Sequence, residues 1–301
     1  MGLSGMSNLN RIIWIASFPK SGNTWMRSFL AHYMMPKGKA PDINNLRQFT
    51  TGDVRQDFFD AAAGGSFRAE TIEEWMKVRP QALRLIAASK TGHHFVKTHC
   101  QAVNFMGQDL IPADVTAAAI YIIRNPFDLA PSFARHISVG LDDAIERMAD
   151  AESIMKTPTG IFEALGRWDD HVKSWTTAPG LPRYVVRYED MLVKPARTFS
   201  DLIDKFLRLK VDKPKLAYAV KATSFSAMKK QEDELGFFEK PEGMSKFFAK
   251  GRSGVWKNDL SPAQVARLRE AFLPTLEKWY PEMLKETAAY AATTRDRAAG
   301  G

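Results

Sequence analysis

A lysine and a serine stand between an apolar run and an amphipathic segment near the N-terminus, in the sequence Phe18-Pro-Lys-Ser-Gly-Asn-Thr-Trp25. The apolar run, 12–16, predicts a buried strand, and residues 25–33 predict a helix. A strand, a tight loop and a helix N-terminus together present free backbone N–H groups and the positive end of the helix dipole. Because Lys20 adds a full positive charge, the segment predicts an anionic, nucleotide-like ligand.

This loop differs from the standard ATP-binding loop, which has the pattern G-x-x-x-x-G-K-[ST]. The two glycine positions of that pattern hold Trp14 and Pro19, and the nearby Gly22 follows the lysine. The alternative is a plain strand-to-helix turn with a solvated lysine. The clustering of proline, lysine, glycine and threonine favours the phosphate site.

A second apolar run, 94–97, ends in Lys97-Thr98-His99. A histidine can accept a proton near neutral pH, and a neighbouring lysine can stabilise negative charge. His99 alone would suggest a structural role, but its expected position beside the phosphate loop favours a catalytic base. Cys100 is expected to be a buried, inert thiol, because adjacent strand residues point to opposite faces.

A third apolar run, 118–123, ends at Arg124 and is followed by an Asn-Pro pair that is typical of a helix start. Arginine can bind a phosphate with two parallel hydrogen bonds. Ser132 lies on the helix face that would look back at the same anion. A magnesium-dependent nucleotide hydrolase would instead place an acidic residue at a strand end, so Arg124 argues against that class.

A basic, glycine-containing segment near the C-terminus provides a further candidate anion site. In Lys250-Gly-Arg-Ser-Gly-Val-Trp-Lys-Asn258, lysines stand near both ends and two glycines are three residues apart. Glycines permit close approach of backbone N–H groups to a ligand. Alone, the segment would predict only a basic turn.

The elements that must position these residues alternate between short strands and longer helices. The predicted strands are 11–16, 94–97, 118–123 and 183–187, and the predicted helices are 25–33, 71–89, 126–137, 141–149, 162–176, 196–209, 213–222 and 261–279. This alternation predicts an α/β fold with a mostly parallel central sheet flanked by helices. Ligands of such sheets bind beyond the carboxyl ends of the strands, where Lys20, His99 and Arg124 follow.

The chain is expected to form a single domain spanning 1–301, with a core of about 11–284 and tails at 1–10 and 289–301. Residues 231–250 combine four phenylalanines with proline and glycine. They predict either a lid that contacts the substrate or a surface loop with apolar anchors.

Composition narrows the class of protein without identifying a ligand. The chain has 301 residues, of which 45% are apolar and 25% charged, as in ordinary globular proteins. A net charge of +8 fits an anionic ligand, nucleic acid or an anionic surface. The single cysteine is typical of a reducing compartment and predicts a cytoplasmic protein. Apolar runs are too short to predict stable membrane insertion.

Six segments together resemble the cytosolic-type sulfotransferases, which use 3′-phosphoadenosine-5′-phosphosulfate (PAPS) and have a P-loop nucleotide-kinase-like fold. The matches follow the family order over nearly the whole chain and are Phe18–Trp25, Lys97-Thr98-His99, Arg124-Asn-Pro-Phe-Asp-Leu-Ala-Pro-Ser132, Tyr188-Glu-Asp190, Thr223-Ser-Phe-Ser-Ala-Met-Lys229 and Ala249–Asn258. One match would be weak, but six in order are highly specific.

The resemblance implies a role for each matching position. His99 would remove the acceptor proton, and the catalytic set would be His99, Lys20, Lys97 and Ser132. Residues 20–25 would bind the 5′-phosphosulfate, and Trp25 and Phe225 would enclose the adenine. The implied nucleotide-binding set is Lys20, Ser21, Gly22, Asn23, Thr24, Trp25, Arg124, Ser132, Tyr188, Thr223, Ser224, Phe225, Met228, Lys250 and Gly251. No metal is required where lysine and arginine neutralise the leaving nucleotide.

Departures from the family pattern set the open questions. Ala249 stands where the family often has an arginine for the 3′-phosphate, and Arg252 is the candidate replacement. The family's dimer motif is not recognisable near the C-terminus, so a homodimer is left open. The acceptor is expected to be a small, hydrophobic molecule with a hydroxyl or amine, bound by the segments 34–51, 105–110, 137–148 and 231–248.

Two alternatives remain beside a PAPS-dependent sulfotransferase. Lys20-Ser21 and the predicted sheet favour a P-loop-type kinase or nucleotide hydrolase, whereas the missing glycines and acidic residue oppose it. A non-enzymatic nucleotide- or nucleic-acid-binding module would use the +8 charge. The aromatic residues near lysines lie within the phosphate motifs, however, so no nucleic-acid partner is expected.

Overall fold

A computed structural model of the chain describes residues 11–240, 244–248 and 251–299, with the backbone alone for 291–299. The predicted N-terminal tail, 1–10, lies outside the described residues. Lys250, which the sequence predicts to bind the nucleotide, and Ala249 also lie outside them.

The centre of the fold is a parallel sheet whose strands are largely buried. In chain order the strands are β1 Ile12–Ser17, β2 Thr51–Gly52, β3 His94–Thr98, β4 Asn104–Phe105, β5 Gln108–Asp109, β6 Thr116–Ile123, β7 Ile154–Lys156, β8 Phe162–Ala164 and β9 Arg183–Arg187. Five of them form the sheet in the order β2-β3-β1-β6-β9, and every pairing within it is parallel. The carboxyl ends of β1, β3, β6 and β9 therefore meet at one edge.

Helices cover both faces of this sheet. They are α1 Asn23–Met34, α2 Gln56–Ala63, α3 Ile72–Ala88, α4 Pro126–Ile137, α5 Leu141–Ala149, α6 Trp168–Thr177, α7 Tyr188–Val193, α8 Pro195–Asp201, α9 Lys213–Ala222, α10 Phe225–Leu235, α11 Pro262–Trp279 and α12 Pro281–Ala299. A π-helical turn, Leu202–Phe206, and 3-10 turns at Leu46–Gln48 and Val255–Asn258 connect them.

Alternating side chains of β1 divide the core into two layers. Trp14 packs with α4, α5, α6 and α11 on one face, and Ile15 packs with α1, α8 and α9 on the other. Both β1 and β6 are buried along their whole length, which fits the continuous apolar sequence expected of a strand covered on both sides. The predicted α/β fold with a parallel central sheet is confirmed.

Some predicted elements differ from those observed. The helix predicted at 162–176 is wrong at its start, because Phe162–Ala164 pairs antiparallel with β7 and α6 begins only at Trp168. The positive φ of Gly166 turns the chain between them. Residues 289–299, predicted to belong to a tail, continue α12 as helix. No helix among the described residues combines the length and apolarity needed to cross a bilayer.

Candidate active site

A cavity of about 670 Å³ opens at the carboxyl edge of the sheet. Loops that follow β1, β3 and β6 contribute to its lining, as do α7, α10 and the segment before the 3-10 turn at Val255–Asn258. The cavity brings together thirteen of the predicted site residues, namely Lys20, Gly22, Asn23, Thr24, Trp25, Lys97, His99, Arg124, Ser132, Tyr188, Phe225, Met228 and Gly251.

Three predicted residues, Ser21, Thr223 and Ser224, do not line the cavity. Ser21 and Thr223 are fully buried. The hydroxyl of Thr223 donates to the carbonyl of Ala219 at 2.8 Å, and that of Ser224 accepts from the N–H of Ala227 at 3.3 Å to cap α10. Their side chains therefore support the site from outside the cavity.

The phosphate loop turns sharply before α1. Lys20 and Gly22 both have positive φ values, 68° and 103°. A Cβ on Gly22 would lie 2.7 Å from the Tyr188 ring, so only glycine fits this position. The first N–H groups of α1 have no partner within the helix and lie at the cavity. The amide of Asn23 donates to the carbonyl of Ile15 at 2.9 Å, which ties the loop to β1.

Lys20 supplies a largely buried amino group that forms no ion pair with the described residues. Its Nζ has no hydrogen-bond partner among the described residues and lies 3.1 Å from the centroid of the Phe247 ring. Burial, together with the charges of Arg124 and Arg135, lowers the pKa of Lys20 to about 7. A group of this kind is stabilised in its charged form when an anion binds beside it.

Arg124 joins the loops that follow β1 and β6. Its guanidinium donates a 2.7 Å hydrogen bond to the carbonyl of Lys20 and lies 4.5 Å from the centroid of the Tyr188 ring. Its Nε is buried and has no partner among the described residues. Two cationic side chains predicted from separate segments are therefore adjacent, and both retain donors for a ligand.

Asp128, to which the sequence assigned no role, organises the glycine-containing loop. Its carboxylate accepts hydrogen bonds from the Ser253 hydroxyl and the Gly254 N–H, both at 2.8 Å, and from the Trp256 N–H at 3.1 Å. Asn125 donates a fourth bond at 3.0 Å. The sequence did contain a signal for Asp128, because it is an acidic residue in the first turn of a helix that closely follows Arg124 at a strand end.

Close contact with an aromatic ring fixes the conformation at Gly251. This residue has a φ of 57°, and a Cβ there would lie 2.2–2.4 Å from the Phe225 ring. Phe225 and Trp25 both line the cavity, as the resemblance implies for adenine-binding residues. Trp25 packs edge-on against Tyr188 and Phe199, each at 6.0 Å between centroids, so its orientation is set by neighbours.

The tautomer of His99 is determined by the end of β1. Its Nδ1 lies 2.6 Å from the carbonyl oxygen of Ser17, which can only accept, so Nδ1 carries the proton and Nε2 has a free lone pair. Burial lowers the pKa of His99 well below its ordinary value, and the charge of Lys97 adds to this effect. The imidazole is therefore a neutral base before any ligand binds.

A second histidine orients the backbone of the first. His171 Nε2 donates to the carbonyl of His99 at 3.0 Å, and the Tyr121 hydroxyl lies 2.9 Å from His171 Nδ1. Because burial lowers the pKa of His171 to about 4, the ring is neutral and Nδ1 accepts from Tyr121. His171 was not among the residues predicted for the site, and its position within α6 gave no chemical signal.

A buried ion pair supports the strand end that carries Lys97 and His99. Asp53 accepts from Arg79 and from the Thr98 hydroxyl, both at 2.8 Å. The Thr98 hydroxyl in turn accepts from the N–H of Cys100 at 3.0 Å. Burial raises the pKa of Cys100 to about 12, as expected for an inert thiol.

Phenylalanines from the segment 237–248 cover part of the cavity. The Phe237 and Phe247 rings are 4.7 Å apart, and the Glu232 carboxylate accepts from the N–H groups of Phe247 and Phe248 at 2.6 and 2.8 Å. Glu239 forms a 2.6 Å ion pair with Arg27. The segment 231–250, for which the sequence predicts either a lid or a surface loop with apolar anchors, therefore places Phe247 over Lys20, with residues 241–243 and 249–250 outside the description.

Comparisons with known proteins agree with this geometry. A family model, the sulfotransferase domain, matches residues 10–280. Sulfotransferase 1B1 of Canis lupus familiaris is 28% identical over 84% of this chain and 79% of that protein, and human sulfotransferase 1E1 is 25% identical over 91% and 83%.

Solved structures show the same fold. The chain resembles mouse sulfotransferase SULT7A1 complexed with PAP, with a TM-score of 0.59, 19% identity, and coverage of 97% of this chain and 92% of that one. Retinol dehydratase in complex with androsterone and the inactive cofactor PAP gives a TM-score of 0.60 at 19% identity, covering 88% and 80%. The chain therefore belongs to the sulfotransferase family and is an enzyme of that class.

Proposed function

We propose that this enzyme transfers the sulfuryl group of PAPS to a hydroxyl or amine of a small acceptor, with His99 as the general base. The observation that carries the proposal is the convergence of Lys20, Arg124 and the free Nε2 of His99 on one cavity. Buried cations without anionic partners are costly, and a nucleotide carrying two phosphate groups would compensate them. The cavity volume of about 670 Å³ also lies within the range of sites that bind small molecules and cofactors.

At the nucleotide end, Lys20 and the N-terminus of α1 are suited to the 5′-phosphosulfate. Arg124 and Ser132 are suited to the 3′-phosphate, because both face the cavity from the loop and helix after β6. Trp25 and Phe225 offer aromatic surfaces to the base.

Arg135, rather than Arg252, is suited to replace the family arginine that is missing at 249. Both arginines are exposed, but Arg135 lines the cavity and Arg252 lies outside its lining. Arg135 follows Ser132 by three residues on α4, so the two side chains share one helix face. Burial and the nearby charge of Arg124 lower the pKa of Arg135, whereas the charge of Asp259 raises it.

At the acceptor end, His99 is suited to remove a proton. When bound, PAPS supplies an electrophilic sulfuryl group with an adenosine bisphosphate leaving group. Nε2 of His99 would take the acceptor proton, and the hydrogen bond from Nδ1 to Ser17 would stabilise the imidazolium that results. Lys20 and the α1 N-terminus would stabilise the negative charge that develops on the leaving phosphate.

Two of the four segments expected to bind the acceptor contribute to the cavity. Residues from 137–148 and 231–248 line it, whereas those from 34–51 and 105–110 do not. A hairpin formed by β7 and β8 takes their place, with Ile154 and Met155 at the surface of the cavity. The lining thus retains an apolar part suited to a small hydrophobic skeleton.

Nucleotide binding followed by transfer tests the proposal. We expect 3′,5′-ADP to raise the Tm, with smaller effects from 5′-AMP and from ATP with magnesium. A transfer screen with PAPS and phenols, alcohols, amines and sugars should then yield at least one sulfated product. Phosphate release from ATP, or no Tm shift with 3′,5′-ADP, would contradict the proposal and favour a kinase, a hydrolase or another binding function.

A further inference from the structure

Glu163 lies on the acceptor side of the cavity and is buried with one carboxylate oxygen that has no hydrogen-bond partner among the described residues. It lies in β8, where Phe162 and Ala164 pack into a buried apolar cluster and Glu163 points to the opposite face, which lines the cavity. Its side chain is only 8% exposed. A carboxylate so deeply buried normally has hydrogen-bond donors around it.

Glu163 lacks such donors among the described residues. Its Oε1 is buried and has no hydrogen-bond partner, and the nearest cation, Lys97 Nζ, is 3.9 Å away, beyond hydrogen-bond distance. By contrast, Asp128 accepts four hydrogen bonds and Glu239 is paired with Arg27 at 2.6 Å. The protein therefore leaves an acceptor atom unmatched at the wall of the acceptor site.

An apolar residue at this position would serve a purely hydrophobic acceptor better. We propose, on the basis of the function proposed above, that Glu163 binds a second hydroxyl group of the acceptor, separate from the hydroxyl that His99 activates. The substrate class is then a small diol or polyol on an apolar skeleton, rather than a molecule with one polar group.

A neutral hydroxyl fits better than an ammonium group because of the charges nearby. Lys97, which lies 3.9 Å from Glu163, lines the cavity together with Arg147 and Lys156. Burial raises the pKa of Glu163, and although Lys97 opposes this, Asp53 adds to it. A carboxyl group with weakened charge still accepts a hydrogen bond from a hydroxyl, but attracts a cation less.

Matched acceptors test the assignment by a ratio of kcat/KM values. The pairs are 2-(4-hydroxyphenyl)ethanol with 4-ethylphenol, and cyclohexane-1,2-diol with cyclohexanol, and tyramine provides the ammonium counterpart. We expect the wild-type enzyme to favour each second-hydroxyl member by about tenfold or more, since a buried acceptor otherwise remains unpaired. Glu163→Leu should bring each ratio close to one, and Glu163→Gln should keep part of it.

A variant of Glu163 could also disturb Lys97 and so reduce activity in general. Such a loss lowers kcat/KM for both members of a pair and leaves their ratio unchanged. Glu152→Leu, which removes an exposed carboxylate, is the control and should leave the ratio unchanged. Wild-type ratios near one, or a ratio unaltered in Glu163→Leu, would overturn the assignment, as would a preference for tyramine or no transfer to any pair. Tm shifts with 3′,5′-ADP in the same variants show separately whether the nucleotide site, and hence the proposed function, holds.

Discussion

Nδ1 of His99 lies 2.6 Å from the carbonyl oxygen of Ser17, the last residue of β1. The phosphate loop begins at the next residue, so one strand end fixes both the tautomer of the histidine and the start of the anion site. Because β1 and β3 are paired in parallel register, the position of His99 relative to Lys20 follows from the sheet itself. The geometry of the site is thus a property of the rigid core.

Replacing the histidine tests whether it is the base. We expect His99→Ala to lower the transfer rate by about 10²–10⁴-fold, because it removes the proposed general base. Affinity for 3′,5′-ADP should change little, since the imidazole is proposed to act at the acceptor end. Initial rates and calorimetry measure the two effects. His93→Ala, which alters an exposed histidine before the same strand, is the control, and unchanged turnover in His99→Ala would remove His99 from the mechanism.

Nucleotide binding should take up a proton at mildly alkaline pH. The pKa of Lys20 is about 7 in the ligand-free protein, and a bound phosphate raises it by favouring the ammonium form. At pH 8 the free enzyme is therefore largely deprotonated at Lys20, and affinity for 3′,5′-ADP should fall as the pH rises above 7. Calorimetry in two buffers of different ionisation enthalpy measures the number of protons taken up when 3′,5′-ADP binds. Lys20→Arg should abolish the uptake, because a guanidinium does not titrate in this range.

The same lysine should reduce the stability of the ligand-free enzyme. Its folded-state pKa of about 7 is below the ordinary lysine value of 10.5, so between these values the unfolded chain binds more protons and stability rises with pH. Below pH 7 the buried charge is a constant cost. Lys20→Met should remove this pH dependence and raise the Tm at pH 7, while weakening 3′,5′-ADP binding by about 10–100-fold through loss of a charged contact. A lower Tm for the variant at pH 7 would contradict this reasoning.

Two glycines in one loop separate backbone strain from displacement of an aromatic ring. Gly251 and Gly254 both have positive φ, but an added Cβ meets the Phe225 ring only at Gly251 and nothing within 4 Å at Gly254. Each alanine variant should lose about 1–2 kcal/mol to strain. Only Gly251→Ala should also weaken 3′,5′-ADP binding, by about tenfold or more, because a displaced Phe225 ring would lose the proposed stacking on the base. Equal affinities in the two variants would argue against base contact by Phe225.

The sequence predicts the strand ends well because apolar runs that stop at polar residues mark the edge of a parallel sheet. Lys20, His99 and Arg124 were placed at one edge on that basis, and all three line one cavity. Contacts between distant segments could not be predicted. Asp128 meets the loop at 253–256 more than 120 residues later, and Glu163 was hidden within a segment predicted as helix. In both cases the role of the residue depends on which distant segments pack together. The local pattern of apolar and polar residues does not contain that information.

Removing Arg135 tests the cationic contact at the 3′-phosphate. Arg135→Ala should weaken 3′,5′-ADP binding by about 10–100-fold, the usual effect of losing a charged hydrogen bond, and leave the weaker binding of 5′-AMP nearly unchanged, because 5′-AMP has no 3′-phosphate. Arg252→Ala removes the same charge from an exposed position outside the cavity and should alter neither affinity. The difference between the variants separates a specific contact from the general attraction of a basic surface, which added salt would screen in both. If Arg252→Ala gave the larger loss for 3′,5′-ADP, the sequence-based candidate would be correct and Arg135 would have no part in binding the nucleotide.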